Sequence, residues 1–94
     1  MAWIHVRAPV EDYAKWKAVF DETAEYKRAH GWKQYRLFSV GGNRNDVLVM
    51  EEFNTQELAQ EFLDSAFLRE AMARAGVSAA PEILVVEALE EGTS

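Results

Sequence analysis

Apolar and polar residues alternate with period two over Trp3-Ile4-His5-Val6-Arg7, which predicts a strand with Ile4 and Val6 on one face and Trp3, His5 and Arg7 on the other. Pro9 ends it. From about Val10 to His30 the period changes: Tyr13, Trp16, Phe20 and Ala24 recur at spacings of three and four, and Glu11 and Lys15 stand one turn apart. The pattern predicts one long amphipathic helix, closed by Gly31 with a basic group in its last turn. Trp32 to Val40 is rich in aromatic and β-favouring residues, Gly41-Gly42-Asn43-Arg44-Asn45 is a turn signal, and Asp46 to Phe53 resumes as a strand, so a β-hairpin is expected. Asn54 with Glu57 resembles a capping box and opens a short helix burying Leu58, Phe62 and Leu63. Ser65 caps a further helical stretch with Leu68, Ala71, Met72 and Ala75 on its apolar side and Gly76 at its close. Pro81 precedes a last strand, Glu82 to Ala88, and the acidic tail Glu90 to Ser94 is expected to fray.

The resulting order, β-α-β-β-α-β, is that of a ferredoxin-like α+β fold: a four-stranded antiparallel sheet with its helices on one face. The other face carries information about assembly. Val47-Leu48-Val49-Met50 and Ile83-Leu84-Val85-Val86 are apolar at every position, as in strands covered on both sides. The helices cover one side, and a second copy presenting the same sheet is the simplest cover for the other. The expectation is a homodimer closed over a shared apolar cavity between its two sheets.

At 94 residues the chain suffices for one hydrophobic core, hence a single domain over 1–94. No apolar run approaches the ~20 residues that span a bilayer, and the N-terminal segment lacks the basic-then-apolar layout of a signal peptide, so a cytoplasmic protein is expected. Cysteine is absent, which removes disulfides, thiolate metal sites and cysteine nucleophiles together. A formal charge of −6 opposes a phosphate backbone, and the basic residues are interspersed with acids. Neither nucleic acid nor an anionic membrane is an expected partner.

The stretches Val10-Glu11-Asp12-Tyr13-Ala14-Lys15-Trp16-Lys17 with Phe20-Asp21-Glu22, and Leu68-Arg69-Glu70-Ala71-Met72-Ala73-Arg74-Ala75-Gly76-Val77 with Pro81-Glu82, resemble the dimeric α/β-barrel superfamily. More narrowly they are similar to small members near the antibiotic biosynthesis monooxygenase group, over about Trp3 to Glu87. The resemblance implies the fold and pairing as a dimeric α/β barrel. It spans cofactor-free monooxygenases, polyketide cyclases, lactone isomerases and haem-degrading enzymes, among which fold does not choose. Met50-Glu51-Glu52-Phe53-Asn54 is similar to the family pattern of an acidic residue two before an aromatic at the end of the third strand, which matches Glu51 and Phe53.

Pairing Val40 with Asp46 puts Tyr35, Leu37, Val47, Val49, Glu51 and Phe53 on one face of the hairpin, and Arg36, Phe38, Leu48, Met50 and Glu52 on the other. With Ile4 and Val6 toward the helices, Trp3, His5 and Arg7 fall on the dimer side, and the resemblance implies Glu51 and Phe53 there too. The expected site then has His5, Tyr35 and Glu51 as catalytic candidates, with Trp3, Arg7, Leu37, Val49, Phe53 and Val85 as substrate-binding ones. His5 could act as general base toward a phenol or an activated methylene, with Arg7 or Tyr35 steadying the oxyanion. A lone strand histidine is, however, more often a hydrogen-bonded structural residue. Glu51 could position a substrate hydroxyl or pair with Arg7, since a buried carboxylate needs a cation or donors. Trp16 reads as core, Trp3 and Trp32 as strand-end residues suited to a dimer contact, and His30 as a helix-end residue. No His pair at i, i+4 and no glycine-rich phosphate loop occurs, so neither metal nor organic cofactor is expected. The leading functional reading is a cofactor-independent monooxygenase or polyketide-cyclase-like enzyme on a small aromatic or polyketide-like molecule. The alternative is a non-catalytic small-ligand-binding or assembly module, and haem ligation through His5 is a third reading.

Overall fold

Alternation along the first strand translates directly into burial. A computed structural model of the protein describes residues 2–94. In β1 (Ala2–Pro9), Ala2, Ile4, Val6 and Ala8 are buried, Trp3 and His5 are half-buried, and Arg7 is exposed. β2 (Trp32–Val40) and β3 (Asn43–Phe53) form the expected hairpin, turning at Gly41 and Gly42 with φ of 61° and 78°, values that cost a glycine nothing. With β4 (Glu82–Glu87) they make one antiparallel sheet in the order β2-β3-β1-β4. All helices lie against one face, so the ferredoxin-like β-α-β-β-α-β arrangement is the one found.

The helical segments differ from expectation in detail. In place of one helix over Val10–His30 there are two, α1 (Tyr13–Glu22) and α2 (Ala24–Ala29). The break falls at Thr23, whose hydroxyl donates to the Phe20 carbonyl at 2.6 Å, a back-bond that competes with the helical ladder and bends the chain. The first helix after the hairpin, α3 (Gln56–Asp64), is capped one residue later than expected: Thr55 Oγ1 accepts from Leu58 N at 3.1 Å, while Asn54 N donates to Gly31 O at 2.8 Å. Ser65 behaves as its sequence position suggests. It donates to Phe62 O at 2.7 Å and accepts from Leu68 N at 3.1 Å, ending α3 and starting α4 (Ala66–Ala75). Gly76 closes α4 in the left-handed region.

The strand register decides which side chains meet the helices. Ile4 faces Glu51 and Val85, Val6 faces Val49 and Ile83, and Ala2 faces Phe53 across β1's two neighbours. Tyr35 and Leu37 continue the same rows into β2 opposite Glu51 and Val49. This face packs on Trp16, Val19, Phe20, Ala59, Phe62, Ala71 and Ala75 to form the core. The opposite face carries Trp3, His5, Arg7, Arg36, Phe38, Leu48, Met50, Leu84 and Val86. There Phe38 and Leu84 remain 44% and 61% exposed. No helix is long and apolar enough to cross a membrane.

Candidate functional site

Within the hairpin the expected grouping is correct: Tyr35, Leu37, Val47, Val49, Glu51 and Phe53 do share a face. Joining that face to His5 is corrected by the β1–β3 register. Ile4 pairs with Glu51 and His5 with Met50, so Tyr35, Leu37, Val49, Glu51, Phe53 and Val85 lie on the helix side, while Trp3, His5 and Arg7 lie on the open side. The alternation of β1 is unambiguous, and the misplacement came from the family resemblance, which implied Glu51 and Phe53 on the side of His5, whereas the register pairs Glu51 with buried Ile4. Arg7 does not pair with Glu51 either. It makes a bidentate contact with Asp46, at 2.9 Å and 3.2 Å, which draws the Asp46 carboxyl below its ordinary range through the hydrogen bond and the guanidinium charge.

Glu51 finds its cation on α2. Lys27 Nζ donates to Glu51 Oε1 at 2.7 Å, and the two residues are 2% and 3% exposed. The ammonium also lies 3.8 Å from the Phe20 ring centroid and 4.4 Å from that of Trp32, so two aromatic faces flank it. In a desolvated site each such contact is worth up to ~2 kcal/mol, which helps offset the loss of water around the charge. Burial still pushes the Lys27 ammonium below its ordinary value, with Glu51 opposing the shift. Trp32 in turn stacks on Tyr35 at 5.2 Å, and Tyr35 meets Phe20 edge-on at 5.2 Å. The Trp32 Nε1 donor is buried with no hydrogen-bond partner among the described residues.

Lys27 and Glu51 line a cavity between the sheet and the helices, walled otherwise by Val6, Val49, Trp16, Phe20, Phe62, Met72 and similar apolar groups. Thr23 adds a hydroxyl, already spent as a donor on Phe20 O. The space is about 60 Å³. That is room for a few waters and less than the ~150 Å³ in which an apolar cavity takes up benzene. A larger guest requires side-chain movement, which unbranched Met72 in the wall permits. Chemically, the cavity offers a half-open apolar pocket with a single acid–base pair in its lining.

Sequence reasoning missed Lys27, although a signal for it existed. Trp16, Phe20, Thr23 and Lys27 follow one another at spacings of four, three and four, which places the lysine on the apolar stripe. On the open face His5 and Arg7 line a shallow groove with Leu48, Glu82, Ile83 and Leu84. No group of three or more His, Asp or Glu among the described residues is arranged to hold a metal ion.

No family model and no curated protein matches the chain by sequence. Solved structures do match it. SnoaB, a cofactor-independent oxygenase from Streptomyces nogalater, superposes with a TM-score of 0.78 at 14% identity, over 96% of this chain and 94% of that one. The NE2512 protein of unknown function from Nitrosomonas europaea gives 0.73 at 19% identity, over 99% and 93% of the two chains. A solved antibiotic biosynthesis monooxygenase gives 0.73 at 12% identity, over 96% and 100%. At such identities the likeness is one of fold, and by that measure this chain matches a group of small, largely uncharacterised proteins similar to antibiotic biosynthesis monooxygenases.

Proposed function

We propose that this chain is an enzyme that works without metal or organic cofactor on a small, flat, largely apolar molecule bearing an ionisable oxygen, held between the sheet and the helices. The carrying observation is the apolar cavity lined by a single charged pair, Lys27 and Glu51. Apolar walls of this kind lower the local dielectric and strengthen whatever electrostatic contact the bound molecule makes. The fold shared with a cofactor-independent oxygenase supports an oxygenase or cyclase class of reaction. The open face, with Leu48, Met50, Phe38 and Leu84 on one surface, supports a homodimer in which the two sheets pack together. In this reading Trp3, His5 and Arg7 belong to the dimer contact, and Tyr35, outside the cavity lining, stacks on Trp32 and meets edge-on the Phe20 ring that walls the site.

The apolar lining also supports a second reading, a binding module that takes up a small aromatic ligand when side chains such as Met72 move, and releases it unchanged. One experiment addresses both. Purified protein is incubated with anthrone-like phenols and short polyketide mimics without added metal or flavin, following oxygen consumption and product mass. Turnover that falls when the cavity is filled by Ala71→Leu, and survives His5→Ala, is the expected result. Loss of turnover in His5→Ala alone would move the chemistry to the open face. Binding with every compound recovered unchanged would establish the module.

A further inference from the structure

A buried lysine becomes a nucleophile when a base stands beside its amine and a pocket leads to it. Lys27 meets both conditions. The residue is 2% exposed, Glu51 Oε1 lies 2.7 Å from Nζ, and the way to the amine is through the half-open apolar pocket rather than from the outer surface. We propose that Lys27 is a covalent capture site for small aldehydes and methyl ketones, which condense with its amine to an iminium held against Glu51. This goes beyond the reading of the pocket as a site for molecules with an ionisable oxygen, since capture needs neither that oxygen nor any later turnover.

Hydrogen bonding and charge select this chemistry. An ammonium has three N–H donors, and among the described residues Lys27 has one oxygen partner, Glu51. An iminium has one N–H, so condensation removes the two that bind no oxygen and keeps the one that does. Phe20 and Trp32, with ring centroids 3.8 Å and 4.4 Å from Nζ, present aromatic faces that attract a cation, and the iminium is still a cation. Burial already pushes the ammonium toward the free amine, which is the nucleophilic form, with Glu51 opposing the shift. In the step itself Glu51 takes a proton from the ammonium, the nitrogen lone pair forms the C–N bond, and the C=O π pair moves to oxygen. Glu51 passes that proton to the oxygen and then relays a second one from nitrogen, so that the oxygen leaves as water while the C=N bond closes. Two N–H bonds and the C=O bond are exchanged for two O–H bonds and the C=N bond, with no oxidant or reductant. Nitrogen ends with the positive charge it had at the start, and Glu51 with its negative one. Acylation by an ester would instead leave a neutral amide and strand the Glu51 charge, which is why the pair selects carbonyl compounds that condense. The space of about 60 Å³, room for a few waters, limits them to a short alkyl chain.

The test uses propanal at neutral pH. Native mass spectrometry of the parent protein is expected to show an adduct of propanal less one water. Reduction with cyanoborohydride and fragmentation should then place the propyl group on Lys27 at least ~10-fold faster than on Lys15, the excess of free amine that a pKa lower by one unit supplies. Lys15 is exposed on α1 and serves as the internal reference. The preference should vanish in the guanidinium-unfolded chain and in Ala71→Leu, whose added carbons occupy the pocket. Lys27→Arg keeps a cation opposite Glu51 but has no amine that condenses, so its adduct should be lost while circular dichroism shows the fold retained. Should that variant not fold, the comparison of folded with unfolded parent still decides. Labelling of Lys27 no faster than Lys15, an adduct confined to the N-terminal amine, or a preference that persists in the unfolded chain or with the pocket filled would overturn the capture site. None of these results bears on turnover of phenols, which the oxygen-consumption assay reads separately.

Discussion

Lys27 holds a charge at 2% exposure because a carboxylate and two aromatic rings replace its water. Removing the amine alone strands Glu51, so Lys27→Met is expected to cost ~3–5 kcal/mol in urea unfolding, whereas Lys27→Met/Glu51→Leu should lie near the parent or above it. The pH dependence has a definite sign. With its folded pKa below the ordinary 10.5, Lys27 binds fewer protons in the folded than in the unfolded chain between those two values. Its contribution to stability therefore rises with pH across that window. Parent stability measured relative to the double variant should increase on approaching pH 10.5, and a flat difference would mean that burial does not depress the amine. The sequence was legible at this scale wherever a residue followed its type, as with Trp16 in the core and Gly76 at a helix end. At Lys27 and Glu51 it was legible only in part: the helical spacing puts Lys27 on the apolar stripe and Glu51 calls for a cation, but neither signal says that the two meet. The pair joins positions 24 residues apart, on α2 and β3, and no local pattern encodes that separation.

Among the elements, strands were read more securely than helices. Period two fixed the buried rows of β1, and the hairpin rows from Tyr35 to Ser39 against Val47 to Glu51 follow the expected pairing. What periodicity does not contain is the orientation of one strand's rows relative to another's, and there the site was misassembled, with Glu51 and Phe53 assigned to the face of His5. Helix ends depend on single hydrogen bonds and are correspondingly harder to read. Thr55, not Asn54, satisfies Leu58 N, so Thr55→Ala should destabilise by ~1 kcal/mol and exceed the effect of Asn54→Ala in thermal unfolding. Equal effects, or the reverse order, would return the cap to Asn54. Thr23 matters in a different way. By interrupting the helix after α1 it sets the direction in which α2 departs, and with it the place where Lys27 meets β3.

At the scale of the molecule the two sheet faces make contrasting predictions. Val49 is 5% exposed beneath the helices, so Val49→Asp is expected to unfold the protein outright by burying an unpaired charge in the core. Leu84 is 61% exposed on the opposite face, so Leu84→Lys should leave each chain folded and weaken self-association. Sedimentation equilibrium at micromolar concentration is expected to show a dimer for the parent and a shift toward folded monomer for Leu84→Lys. A folded monomeric parent would remove the homodimer. The sequence-based case for a covered second face came from unbroken apolar runs in β3 and β4, and those runs do place Leu48, Met50, Leu84 and Val86 on the open side.

The strand order has a consequence for how the chain reaches this state. β1 precedes the other strands in sequence yet sits between β3 and β4, with Ala2 opposite both Phe53 and Glu87. Its second edge stays unpaired until the last strand arrives, after a loop of some eighty residues has closed. Folding is therefore governed by long-range closure and should be slow for a chain of this length. During synthesis, β1 and the β2–β3 hairpin can pair while Ile4 and Val6 still border an open edge, a state in which a neighbouring nascent chain competes with β4 for the same backbone donors.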